Sequence, residues 1–288
     1  MPLVTLREIL AGATTEGYAV AAFNDVNALY ARPILRAAEK AGSPVILMVA
    51  EVHFTYVDLE EMAPYLVHVC RRARVPVCLM LDHGASRESA ARAIAAGFTA
   101  VMFDGSRLSY EENVARTREV VALARPAGVS VEGELGHVAG HEGGAAGALS
   151  DRRLTDPEQA REFVESTGVD CLAVSVGTKH GFYDEEVHLD FALLARLRGE
   201  VPVPLAIHGG SGLSDADFRA LVSHGAAKIN YYTGMAANAA RTARSVFQRQ
   251  PQLLHLPDLL REVEATVEAE ASHVYEVLGS AGRAGATA

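Results

Sequence analysis

The chain has no excess of basic residues, little cysteine and no long apolar run, and each shortage removes a class of function. Lys and Arg together number 26 against 36 Asp and Glu, a formal net charge of -10 over 288 residues. A face that neutralises phosphates needs a basic surplus, so neither nucleic acid nor an anionic membrane surface is expected as a partner, and a small molecule is. No stretch approaches the roughly 20 consecutive apolar residues of a membrane span. The opening MPLVTLREILAGATTEGY places acids and polar residues where a secretory leader needs an unbroken apolar segment, so the expected setting is the cytoplasm. Cys70, Cys78 and Cys171 are an odd, unspaced set in apolar company. They read as buried free thiols in a reducing compartment, not as a disulfide framework.

What is present is a strict alternation. Eight short apolar runs, Tyr18 to Asn24, Pro44 to Ala50, Pro76 to Asp82, Thr99 to Asp104, Val129 to Leu135, Cys171 to Val176, Pro204 to Gly209 and Ala227 to Asn230, read as strands buried on both faces. Helical patterns separate them: Tyr30 to Ala41, Leu59 to Ala73, Arg87 to Ala96, Tyr110 to Ala124, Asp156 to Ser166, Asp190 to Arg198, Asp215 to His224 and Met235 to Arg249. Eight strand–helix units predict an α/β protein, a (β/α)8 TIM barrel. With no linker-like joint, residues 1–288 are expected to form one domain around one core. Pro33 lies inside the first helical pattern, which predicts a helix that begins late or bends. An extra C-terminal helix, Pro257 to Val277, is left to cap the barrel or pack on a neighbouring subunit, and the small-residue tail 279–288 is expected to be disordered.

In such a barrel chemistry sits at the carboxyl ends of the strands. Here those ends carry Asn24, Asp82-His83, Asp104, Glu134, His208 and Asn230, with His180 four residues past the sixth run, while the opposite ends carry Ala, Pro and Val. A lone histidine in such a place is more often a satisfied core residue, but this coincidence at one rim indicates a site. Three neutral imidazoles converging there would make an open metal centre. Gly181 after the sixth strand, Gly209, Gly210 and Ser211 after the seventh, and the helix start after Asn230 expose backbone amides suited to a phosphate. The glycine-rich stretch Gly136 to Asp151 is either disordered or a lid, carrying His141 and Glu142 to the site on closure. His137 and His141 are disfavoured as a metal pair, since their spacing needs a helix that the glycines oppose.

From about Leu6 to about Gly234 the sequence resembles the class II, metal-dependent fructose-bisphosphate and tagatose-bisphosphate aldolase family, most specifically in YAVAAFN, LDHG, EENVARTREVV, VEGELG, LAVSVGTKHG and IHGGSGL. The resemblance implies zinc on His83, His180 and His208, with Glu134 and Asp104 serving an alternative or second divalent metal. It implies that Asp82 handles the proton on the aldehyde-derived oxygen and that Glu142 is the loop base. Asn230 would contact the enediolate or ketose hydroxyls, Asn24 would line the same pocket, and Gly181, Gly209, Ser211 and Thr233 would form the phosphate cradle, with Na+ or K+ nearby. It further implies a sugar-phosphate substrate, dihydroxyacetone phosphate as the ketone product, and a homodimer or homotetramer. No lysine stands where a Schiff base would form: Lys179 and Lys228 precede the rim residues and Lys40 is on a helix.

Departures from the family pattern bear on the substrate. After Asn230 stand Tyr231 and Tyr232 where relatives commonly carry Asp-Thr, and both are expected to narrow the pocket. Asp184 replaces a lysine near the phosphate, and Glu51 and His53 follow the second strand where small or hydroxyl residues are common. Arg241, Arg244 and Arg261 are the candidates for a distal phosphate. The expectation is an aldehyde other than glyceraldehyde 3-phosphate. Alternatives are a non-phosphorylated substrate, a metal-retaining barrel without turnover, or a metal hydrolase, although the H-x-H pair usual at the first strand of such hydrolases is replaced by Phe23-Asn24.

Overall fold

Eight parallel strands close into a barrel: β1 Val20–Asn24, β2 Val45–Ala50, β3 Val77–Gly84, β4 Ala100–Phe103, β5 Ser130–Leu135, β6 Cys171–Val174, β7 Leu205–Ile207 and β8 Ala226–Tyr231, with β8 pairing back onto β1. The computed structural model describes residues 3–25, 27–56, 58–140, 153–183, 187–252 and 255–285. Helices α1 Leu6–Leu10 and α2 Ala13–Glu16 precede the barrel. The return helices are α3 Ala28–Ala41, α4 Leu59–Arg72, α5 Arg87–Ala95, α6 Tyr110–Ala124, α7 Pro157–Thr167, α8 Phe191–Glu200, α9 Asp215–Ser223 and α10 Thr233–Arg249, followed by the extra helix α11 Leu256–Val277. Among the described residues no helix is long and apolar enough to cross a membrane, and the three cysteines are buried and free.

Strand alternation sorts the core into two bodies. Val20, Ala22, Ile46, Met48, Cys78, Met80, Met102 and Ala173 fill the barrel interior. Their neighbours Ala21, Phe23, Leu47, Val49, Leu79 and Leu81 point outward against the helices. Leu6, Ile9 and Leu10 of α1 and Ala13 of α2 belong to the interior body, so these two short helices plug the barrel at the end opposite the strand carboxyl ends. Thr5 opens α1 with a capping box to Glu8.

Local signals set several boundaries. Asp156 accepts from Gln159 N ahead of Pro157 at the first position of α7, and Ser214 forms a capping box with Asp217 at α9. Contrary to the expectation from Pro33, α3 does not begin late. Asn27 caps it by accepting from Leu29 N at 2.9 Å, and Pro33 lies inside the helix.

The surplus helix packs on its own barrel, against α3 and α10, and buries Val267, Ala271, Val274 and Tyr275. The Tyr275 ring meets Phe23 edge-on at 5.7 Å, and its hydroxyl donates to Ile34 O at 3.2 Å. Of the stretch 279–288 expected to be disordered, residues 279–285 fold back along the barrel and 286–288 lie outside the described residues. Ser280 is buried and accepts from Ser43 Oγ at 2.8 Å, while Gly282 N donates to Ala41 O and Ala284 N to Gly42 O, each at 2.8 Å. Gly279 and Gly282 have φ of 70° and 78°, so the glycines that suggested disorder serve here to fold the chain back onto the end of α3.

Asp25, directly after β1, is buried; its Oδ1 accepts from Asn27 N at 3.0 Å, and its Oδ2 has no hydrogen-bond partner among the described residues. Burial pushes its carboxyl up to about 8. A carboxyl raised in the folded state stabilises the fold when protonated, and that contribution is lost as pH rises from the unfolded value near 4 through about 8. Urea unfolding at pH 5 and pH 8 should therefore show the wild type losing stability relative to Asp25→Asn as the pH rises. A pH-independent difference between the two proteins would contradict the assignment.

Candidate active site

The rim is built from residues at and just after the carboxyl ends of the strands. On β3, alternation places Cys78, Met80 and Asp82 toward the barrel axis and would turn His83 outward. His83 instead has φ of 47°, the one non-glycine residue in the left-handed region among the described residues, and the β3–β4 register slips between Leu81 and Gly84. The irregularity re-aims His83 so that it and Asp82 both face the mouth of the barrel.

Three histidine rings converge there. His83 Nε2 lies 3.1 Å from His180 Nε2 and 3.0 Å from His208 Nδ1, and one nitrogen of each ring falls within a common 4.8 Å sphere of separations. Each of two rings is oriented from behind by a carboxylate: His83 Nδ1 is 2.9 Å from Asp104 Oδ2, and His208 Nε2 is 3.0 Å from Glu132 Oε1. If those far nitrogens carry the protons, the near ones turn lone pairs toward one point. That arrangement suits a divalent cation, since two nitrogens on a tetrahedral zinc with bonds of roughly 2.0–2.1 Å stand about 3.3 Å apart. Burial and the neighbouring imidazoles hold His180 well below the ordinary histidine value. Burial likewise lowers His208, so both favour the neutral, ligating form. For His83, burial is outweighed by Asp82, Asp104 and Glu134, which raise it.

The support beneath this site runs through the barrel interior. Glu132 accepts from Lys228 Nζ at 2.8 Å on both carboxylate oxygens while it holds His208. All three side chains are fully buried. Burial works against ionisation of Glu132, but Lys228 and His208 outweigh it and keep the carboxylate charged.

A second group of ligating atoms adjoins the first. His83, Asp104 and Glu134 also lie within 4.8 Å of one another. Glu134 Oε2 has no hydrogen-bond partner among the described residues, and burial, reinforced by Asp104, raises its carboxyl to about 8. On the other side of the mouth, Asp82 accepts from Asn24 Nδ2 at 2.9 Å and from Asn230 Nδ2 at 3.3 Å. The side-chain oxygens of both asparagines are buried and without partners among the described residues. Such orphaned acceptors are costly in a finished core and are what hydroxyl donors of a ligand would satisfy.

The loops after β6, β7 and β8 meet backbone to backbone. A Cβ on Gly209 would stand 2.3 Å from Lys179 O, and one on Gly210 would stand 2.6 Å from Asn230 O, so glycine is required at both positions. Ser211 Oγ accepts from Gly234 N at 3.0 Å and Tyr232 N at 3.3 Å, capping α10 from a different loop. Gly181, Ser211 and Thr233 are buried beside this junction. After β5, His137 N donates to Arg153 O at 2.8 Å, His137 Nδ1 lies 2.9 Å from Ser106 Oγ, and His180 N donates to Ala139 O at 2.8 Å. His141, Glu142 and the rest of 141–152 lie outside the described residues, as does Asp184.

One expected pocket residue is elsewhere. β8 runs through Tyr231, and alternation turns that residue outward: its ring packs 6.3 Å from Phe23 and its hydroxyl donates to Glu270 Oε1 at 2.5 Å, on α11. Tyr231 therefore does not narrow the mouth. Tyr232 does approach the rim side, 4.7 Å from the ring of His53. His53 is buried, with both ring nitrogens unpartnered among the described residues. Arg241, Arg244 and Arg261 sit exposed on the outer helices, and Arg261 pairs with Asp258 at 3.5 Å. A cavity of about 110 Å³ beside His83 and His180 is instead lined by Arg107, together with Val52, Asp104, His137, Val138 and Gly140. Glu132, Lys228 and Arg107 were the residues to be missed from sequence, although two acids in alternate positions of VEGEL and a lysine inside AAKIN are the mark of charge on a barrel's inner face.

The model of the family described as fructose-bisphosphate aldolase class-II matches residues 4–283. The uncharacterized protein YdjI of Escherichia coli K12 is 42% identical over 272 residues, spanning 94% of this chain and 96% of its own. A probable fructose-bisphosphate aldolase of Bacillus subtilis is 42% identical over 256 residues, 87% of this chain and 88% of its own. The crystal structure of the E. coli YdjI aldolase superposes with a TM-score of 0.87 at 36% identity, covering 98% of this chain and 99% of that one. A putative fructose-1,6-bisphosphate aldolase from Coccidioides immitis gives 0.86 at 30% identity, covering 96% of both.

If the Glu132 carboxylate orients His208 for metal, Glu132→Gln should weaken zinc binding by roughly 10- to 100-fold, read by competition with a chelating dye. Wild-type affinity in that variant would contradict the role.

Proposed function

Because the chain belongs to the class II fructose-bisphosphate aldolase family, whose activity is that of an aldol lyase, we propose that it is a zinc-dependent enzyme making or breaking a carbon–carbon bond in a ketose phosphate, with dihydroxyacetone phosphate as the ketone product. The observation that carries this reading is the approach of His83 Nε2 to His180 Nε2 at 3.1 Å and to His208 Nδ1 at 3.0 Å, one residue after a buried carboxylate, Asp82, held by two amides. His83, His180 and His208 would hold the ion. When bound, zinc supplies Lewis-acid polarisation of a carbonyl and steadies negative charge on its oxygen, a contribution of several kcal/mol.

The protein's own groups divide the remaining work. Asn24 and Asn230 keep Asp82 fixed by donating to its two oxygens, which leaves that carboxyl to give or take the proton at the aldehyde-derived oxygen. Their free side-chain oxygens accept from substrate hydroxyls. Glu142 serves as the base at the carbon next to the ketone, a role that rests on the family resemblance. The backbone junction of Gly181, Gly209, Gly210 and Ser211 with the start of α10 at Thr233 receives the phosphate of the ketose half, helped by the helix dipole and a monovalent cation. Asp104 and Glu134, with His83, offer a second divalent metal position.

Asp82→Ala is expected to retain zinc, measured by elemental analysis, while release of triose phosphate from ketose phosphates falls by roughly 10²- to 10⁴-fold. Undiminished cleavage would reject the proton-transfer role. Removal of metal by a chelator should abolish cleavage and added zinc should restore it; metal-free turnover would reject the reading as a whole.

A further inference from the structure

The mouth cavity contains one charged residue that aldol chemistry itself leaves without a task. Arg107 lies on the turn between β4 and α6, and that turn is fixed at several points. Ser106 N donates to Asp104 Oδ1 at 3.0 Å, Leu108 N donates to Gly105 O at 2.9 Å, and Ser106 Oγ is 2.9 Å from His137 Nδ1. Arg107 thus lines the cavity that His83 and His180 also line. It is exposed, and among the described residues it makes no ion pair or hydrogen bond. Asp104, three residues before it on the same wall, is already engaged by His83 and by Ser106 N. The remaining wall is Val52, Val138, Gly140 and His137. An exposed arginine on the wall of the cavity that the metal-ligating His83 and His180 also line is placed to meet the far end of whatever bonds to the reacting carbon.

Resting on the aldol reading above, the geometry points to Arg107 as the residue that selects an aldehyde half ending in a carboxylate. A planar guanidinium presents paired donors that match a carboxylate in bidentate fashion. A single cation with Asp104 on the same wall matches one negative charge. A phosphate dianion there would keep a surplus charge facing Asp104. The cavity of about 110 Å³ suits a short acid, and none of Gly181, Gly209, Gly210, Ser211 and Thr233 of the ketose-side phosphate junction lines it. Arg241, Arg244 and Arg261 do not line this cavity, and among the described residues Arg107 is the arginine that does.

The test is condensation of dihydroxyacetone phosphate by the full-length, zinc-loaded enzyme with three aldehydes of equal carbon count: glyceraldehyde, glyceraldehyde 3-phosphate and tartronate semialdehyde. Exchange of deuterium into dihydroxyacetone phosphate, measured on the wild type before any aldehyde is added, reports on the aldol reading alone. Its absence would overturn that reading together with this inference. With exchange present, the wild type should show its highest kcat/KM for tartronate semialdehyde. In Arg107→Met the ratio of kcat/KM for that acid to kcat/KM for glyceraldehyde should fall by roughly 10- to 100-fold, as expected for loss of a charge-assisted hydrogen-bonded pair, with partial recovery in Arg107→Lys. An unchanged ratio, or a wild-type preference for the phosphorylated or neutral aldehyde, would overturn the assignment.

Discussion

Two carboxylates stand behind two histidines, and the shape of the mouth follows from them. Asp104 fixes His83 and Glu132 fixes His208. Those contacts set the rotation of the rings and bring their opposite nitrogens to within about 3 Å of each other. Without that backing, three imidazoles on separate strands would have no reason to crowd into one volume, since burial and mutual repulsion both oppose charging them.

The cost of this arrangement is visible inside the barrel. A layer that would ordinarily be aliphatic contains Glu132 and Lys228, both fully buried. An uncompensated charge at that depth would be strongly destabilising, and pairing on both carboxylate oxygens is what makes it tolerable. The rest of the barrel interior is apolar, with Ile46, Met48, Cys78 and Ala173 in one body with Leu6, Ile9 and Leu10 of α1 and Ala13 of α2. The buried Glu132–Lys228 pair thus interrupts an otherwise apolar interior, and chemistry belongs at the end where the strands leave their carbonyl groups and loops.

Most of this was legible in residue order. The eight apolar runs match the strands to within a few residues, and α6 spans Tyr110–Ala124 as its periodicity predicts. His83, His208, Asp82, Asp104, Glu134, Asn24 and Asn230 were identifiable because each stands where a strand ends, and a barrel gathers strand ends; His180, in the loop after β6, was identifiable from the resemblance and from its place after the sixth run. What failed did so for definite reasons. Helices of five and four residues are too short to show a period, which hid α1 and α2. Tyr231 was misplaced because β8 continues one residue further than its apolar run, and a single step reverses the face. The fold-back of residues 279–285 was not legible because glycine composition cannot distinguish a loose end from a tight reversal. The left-handed backbone at His83 carries no sequence signal, since histidine itself does not require it.

The chemistry of the mouth turns on His83, His180 and His208 sharing one divalent ion. Zinc K-edge absorption spectroscopy on the purified protein addresses it directly. About one zinc per chain is expected, in a shell containing three imidazole nitrogens at roughly 2.0–2.1 Å, with the imidazole count reduced in His208→Ala. A shell dominated by sulfur, fewer than two imidazoles in the wild type, or a protein that takes up no zinc would contradict it.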